Sequence, residues 1–117
     1  MIQRFSFGHP IPTGSVEQVL PLCGGSVPFL TPAAEGWTYR MREDCVVYGL
    51  GEMPRGLNKR GWHYIANNTD ESHHTEDKLS YYGAHNFLLI RNGEDCFGLF
   101  VDFPGKVHYD IGYTRHD

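Results

Sequence analysis

The sequence has no long hydrophobic run. No window of its 117 residues approaches the roughly 20 apolar residues of a membrane-spanning helix. The opening stretch, Met1-Ile2-Gln3-Arg4-Phe5-Ser6-Phe7-Gly8, holds no apolar segment of signal-peptide length. Positive charge is also scarce. Ten Lys and Arg stand against 14 Asp and Glu, a net charge of −4 with the seven His neutral. A nucleic-acid partner wants a concentrated basic face, and an anionic membrane surface wants the same. Neither partner is expected. Cysteine is sparse: Cys23, Cys45 and Cys96 are odd in number and far apart, with no Cys-x-x-Cys. Neither a zinc knuckle nor a redox motif is supported. Free thiols in a reducing cytoplasm are expected, with one disulfide plus a spare thiol as the rival arrangement.

What is present points to a folded β protein. Hydrophobic residues make up 40% of the chain and charged ones 21%, which argues against disorder. The length suits one domain with one core, here expected to span residues 1–117. Fourteen Gly and seven Pro imply many turns. The apolar period is two, not 3.6. Phe5 and Phe7 alternate with polar residues, and Trp37, Tyr39 and Met41 do so against Thr38, Arg40 and Arg42. Cys45 to Leu50, Trp62 to Ala66, Asn86 to Arg91, Cys96 to Asp102 and Val107 to Ile111 also read as strands. Asn92-Gly93 is a tight-turn signal between two of them. Only Ser15 to Leu22 has room for a helical turn or two, and residues 23–36 read as a loop. The expected fold is all-β, an antiparallel sandwich or incomplete barrel with little or no helix. The chain stops at Asp117 in strand-like material, without a frayed polar tail, so a piece of a larger protein is expected.

Several boxes follow one another in order. Tyr48-Gly49-Leu50-Gly51-Glu52 breaks a strand with two glycines. Leu57-Asn58-Lys59-Arg60-Gly61 is polar and basic, and Asn68-Thr69-Asp70 opens an Asn/Thr/Asp/Glu/Ser loop. Tyr82-Gly83-Ala84-His85-Asn86-Phe87, Gly98-Leu99-Phe100-Val101-Asp102-Phe103-Pro104 and Asp110-Ile111-Gly112 complete the series. Together, over roughly the last 70 residues, they resemble the N-terminal galactose mutarotase-like β-sandwich of glycoside hydrolase family 31, the family of α-glucosidases and α-xylosidases. The run His74-Thr75-Glu76-Asp77-Lys78 further resembles the bacterial α-glucosidase branch that includes gut enzymes.

The resemblance implies an accessory domain of a retaining enzyme that hydrolyses terminal α-linked glucose from oligosaccharides. It implies no catalysis by this chain alone, because the nucleophile and the acid/base are aspartates of a (β/α)8 barrel that 117 residues do not contain. Pairs of carboxyl groups at catalytic separation must occur by chance among 14 acids, so their count says nothing. By resemblance, Asp70 reaches into the sugar pocket and holds the substrate, as a carboxylate can by accepting bonds from hydroxyls. Read from its residues alone, the same loop makes Asp70 a turn-former. An exposed barrel-docking face is expected to self-associate when uncovered.

Other readings stay open. Trp37, Trp62, Tyr81 and Tyr82 offer stacking surfaces to a stand-alone carbohydrate-binding module. His73, His74, Glu76 and Asp77 are metal-ligand residue types. However, neighbouring His residues would point to opposite faces of a strand, so no metal site and no cofactor are expected. Lys59 and Arg60 are expected either to pair with Glu52 or a neighbouring domain, or to form a solvated charged face.

Overall fold

A computed structural model describes residues 31–33, 36–70 and 72–116. The chain divides into two units, Met1–Arg40 and Met41–Asp117. In the first, β1 (Thr31–Ala33) and β2 (Gly36–Thr38) pair antiparallel, Thr31 opposite Thr38. β1 lies inside the segment that the sequence marks as a loop. The strand read through Trp37, Tyr39 and Met41 is ladder-bonded only as far as Thr38. The readings at Phe5, Phe7, Ser15 to Leu22 and Cys23 lie outside the described residues.

The second unit is the antiparallel β-sandwich. Its strands are β3 (Val46–Gly51), β4 (Trp62–Ala66), β5 (Ala84–Asn92), β6 (Asp95–Phe100) and β7 (Val107–Ile111). One sheet has the order β3-β5-β6 and the other pairs β4 with β7, all antiparallel. No helix occurs among the described residues. The period-two pattern sets the faces. Along β5, Leu88, Ile90 and Asn92 are buried, while Phe87, Leu89 and Arg91 between them are exposed. Val47 sits opposite Ile90 on the buried face. Tyr64, Ala66 and Ile111 supply the β4–β7 share of the core. Burying a side chain such as Val47, Leu88, Ile90 or Ile111 stabilises by about 1.5–3 kcal/mol. The turn joining β5 to β6 is centred on Gly93-Glu94, one residue later than the sequence signal, because Asn92 pairs with Asp95 as the last rung. Asn92 is buried, and its side-chain oxygen accepts the Arg42 N–H at 2.7 Å.

The glycine box forms a bulge. The β3–β5 register slips between Gly49 and Gly51, and three successive residues take positive φ: Gly49 at 124°, Leu50 at 67° and Gly51 at 78°. A Cβ on Gly49 would sit 2.2 Å from the Phe87 carbonyl oxygen, and one on Gly51 would sit 2.2 Å from that of Gly83. Both contacts are with backbone, so only glycine permits this close approach. Leu50 tolerates the left-handed region because its side chain is fully buried at 0% exposure.

The basic box is a structural stitch. Asn58 Oδ1 accepts the Val47 and Arg60 amides, and the Lys59 amide donates to the Val47 carbonyl at 2.7 Å. The Lys59 side chain turns inward, 6% exposed, and its Nζ donates to the carbonyls of Met53, Pro54, Arg55 and Gly56 at 3.0–3.4 Å. Burial lowers the Lys59 pKa, partly opposed by Glu76. Arg60 donates to the carbonyls of Arg42, Glu43, Cys45 and His116. This corrects the expectation of pairing with Glu52 or a solvated charged face. Main-chain carbonyls that need donors take up both cations.

Candidate functional site

β4 ends at Ala66, and the chain enters the loop that carries Asp70. Three hydrogen bonds fix this loop to the segment leading into β5. Ser80 Oγ donates to the Asn67 carbonyl at 2.9 Å. Asn68 Oδ1 accepts the Ala84 amide at 2.7 Å. Thr69 Oγ1 donates to the Tyr81 carbonyl at 3.4 Å. Asp70 follows directly. It is exposed and makes no hydrogen bond or ion pair with another described residue. The loop therefore presents, at the end of three pinned residues, an exposed carboxylate that no other described residue engages.

The segment opposite is itself clasped. The Glu52 amide donates to the Gly83 carbonyl at 2.8 Å, and the Glu52 carboxylate accepts the Gly83 amide at 2.9 Å. Glu52 stands at the exit of the bulge, so the glycine box and the Asp70 loop meet through Gly83 and Ala84. Sequence reasoning placed Glu52 with the basic box and missed this bond. Nothing in the local pattern pairs residues separated by 31 positions.

The histidine-rich segment beyond is organised by contacts of its own. His74 stacks on Tyr81 with centroids 4.5 Å apart and meets Tyr82 edge-on at 5.2 Å. His73 Nδ1 is 2.9 Å from Ser72 Oγ. Thr75 Oγ1 donates to Asp77, which holds that carboxyl below its usual pKa, and Tyr81 Oη donates to the Thr75 carbonyl at 2.9 Å. Among the described residues no three His, Cys, Asp or Glu side chains gather as metal ligands. Cys45 (buried) and Cys96 (exposed) are both free thiols, and burial pushes the Cys45 pKa up.

A shallow open cleft of about 450 Å³ lies between Glu52, Arg55, Lys59, His74 and Tyr81, and Asp70 does not line it. Two of its cations are committed. Lys59 holds its carbonyls, and the Arg55 guanidinium lies 3.6 Å above the Trp62 ring. Tyr113 meets Trp62 edge-on at 5.0 Å, and the buried Trp62 Nε1 has no partner among the described residues. Of the rings proposed for sugar stacking, Trp62 and Tyr81 thus already carry a partner on one face, while Tyr82 is 41% exposed.

Comparison with curated proteins gave no match. Residues 26–110, well over half the chain, match the family model of the glycosyl hydrolase 31 N-terminal galactose mutarotase-like domain.

Proposed function

Because the chain belongs to the glycosyl hydrolase 31 N-terminal galactose mutarotase-like domain family, we propose that it serves a retaining α-glucosidase of the bacterial gut type as its accessory domain. In this reading the enzyme removes terminal α-linked glucose from oligosaccharides. The bond-breaking aspartates belong to a barrel that this sandwich packs against. The domain contributes one wall of the sugar pocket. No cofactor takes part.

The observation that supports the reading most is the unengaged Asp70 carboxylate on its pinned loop. A sugar hydroxyl donating to it would gain a charge-assisted bond without the loop having to be ordered first. Such a bond is worth about 1.5–3 kcal/mol, or roughly 10- to 150-fold in affinity. In the full hydrolase, Asp70→Asn and Asp70→Ala should lower kcat/KM by about that factor. The same kinetics in both variants as in the parent enzyme would remove Asp70 from the pocket.

The proposed docking surface is the outer face of the β3-β5-β6 sheet. Tyr48, Phe87, Leu89 and Phe100 are exposed there, Phe100 at 66%. Phe87 faces Phe100 and Tyr48 faces Leu89 across the ladders, so the four form one patch. A barrel covering it would bury that apolar area, and the free chain should self-associate through it. A cytoplasmic setting completes the proposal and rests on the free thiols.

A further inference from the structure

We infer that Glu52 is a positioning residue for the Asp70 loop, acting through Gly83. This inference rests on the proposed role of Asp70 in sugar contact. The connection is short and continuous. Glu52 holds Gly83 from both sides, its amide on the Gly83 carbonyl and its carboxylate on the Gly83 amide. The next residue, Ala84, gives its amide to Asn68 Oδ1. Ser80 and Tyr81, on the other side of Gly83, take hold of Asn67 and Thr69. All three of these loop anchors therefore attach to the segment 80–84, which Glu52 grips at Gly83.

The bulge explains why Glu52 reaches it. Positive φ at Gly49, Leu50 and Gly51 turns the end of β3, and the Gly83 carbonyl approaches so closely that a Cβ on Gly51 would lie 2.2 Å from it. Space is close, though less tight, in the other direction. A Cβ on Gly83 would lie 3.2 Å from Glu52 Oε2. The two glycines bring the strand end and the loop support together, and the carboxylate fastens them. Lys59 and Arg60 leave that carboxylate for Gly83, because both are committed to carbonyls elsewhere.

Amide hydrogen exchange on the full chain tests this. In the parent protein, Gly83 and Ala84 should be protected; exchange of the Gly83 amide at an unprotected rate would overturn the inference whether or not any variant folds. Glu52→Ala keeps the backbone bond but loses the carboxylate. It should speed exchange at Gly83 and Ala84 about tenfold or more. It should also broaden or shift the resonances of Asn68 to Asp70. Glu52→Gln keeps an acceptor oxygen and should restore both. An alanine variant with exchange and loop resonances like the parent would overturn it. KM and kcat of the hydrolase separate this inference from the one beneath it. If Glu52→Ala loosens the loop while Asp70→Asn leaves KM unchanged, positioning by Glu52 stands and the sugar contact falls.

Discussion

At the residue scale, a few positions carry constraints that their neighbours do not. Gly49 and Gly51 each face a carbonyl oxygen 2.2 Å from where a Cβ would be. Gly49→Ala is expected to lower stability by about 3 kcal/mol or more, from the clash together with the positive-φ penalty. Urea unfolding with an unchanged m-value would measure it. Tyr109 gives a second check. Its hydroxyl donates to Asn86 Oδ1 at 3.0 Å, and burial pushes its pKa up from 10 to about 12. A folded value above the unfolded one means that this contribution to stability is complete below pH 10 and is lost as pH rises through about 12. Ultraviolet titration of Tyr109→Phe against the parent should remove one late-titrating phenol. Asp110 has the opposite sign. Burial works to raise its pKa, but hydrogen bonds from the Thr114 hydroxyl and the Tyr113 and Thr114 amides outweigh it and leave the carboxyl low. Its contribution is present above the ordinary carboxylate range and is lost as pH falls through the folded value. Asp110→Asn should flatten that part of the acid-unfolding curve.

At the element scale, the segment between β3 and β4 is a largely exposed connector folded around the buried Lys59 side chain. The three N–H groups of the Lys59 ammonium are shared among four successive carbonyls, of which those of Met53 and Pro54 are buried. Lys59→Met keeps the aliphatic stem and removes those donors, so it should cost about 2–4 kcal/mol. Arginine should not rescue it, because a planar fork does not match four converging oxygens. Thermal unfolding of the two variants checks both statements. β4 and β7 were legible in the sequence to the residue, since Trp62 to Ala66 and Val107 to Ile111 alternate and end at turn residues. β5 begins earlier than its apolar pattern indicates. Ala84 pairs with Gly51 across the bulge, a pairing that no local periodicity encodes. β1 was missed for a related reason. Three residues, Thr-Pro-Ala, are too few to show a period. The composition of residues 68–72 marked the Asp70 segment as a loop, but its anchoring was not legible, because those bonds join residues 12 to 16 positions apart. The inward turn of Lys59 was not legible, since a basic box reads as surface until the carbonyls around it are known.

At the scale of the whole molecule, the sandwich exposes an apolar face and a free carboxylate loop but encloses no deep pocket among the described residues. On the proposed reading the domain is a partial wall, and a sugar held from one side gains too few contacts to offset the cost of binding. Calorimetric titration of the isolated chain with maltose should therefore give no measurable heat of binding. A millimolar or tighter constant would favour the stand-alone module, with Tyr82 as its stacking ring. The central claim, an accessory domain completed by a catalytic barrel, is tested most directly by sequencing the gene beyond the codon for Asp117. The account predicts an open frame that continues for about 250 residues or more of alternating strand and helix, with aspartates at strand ends. A stop codon immediately after Asp117 would contradict it.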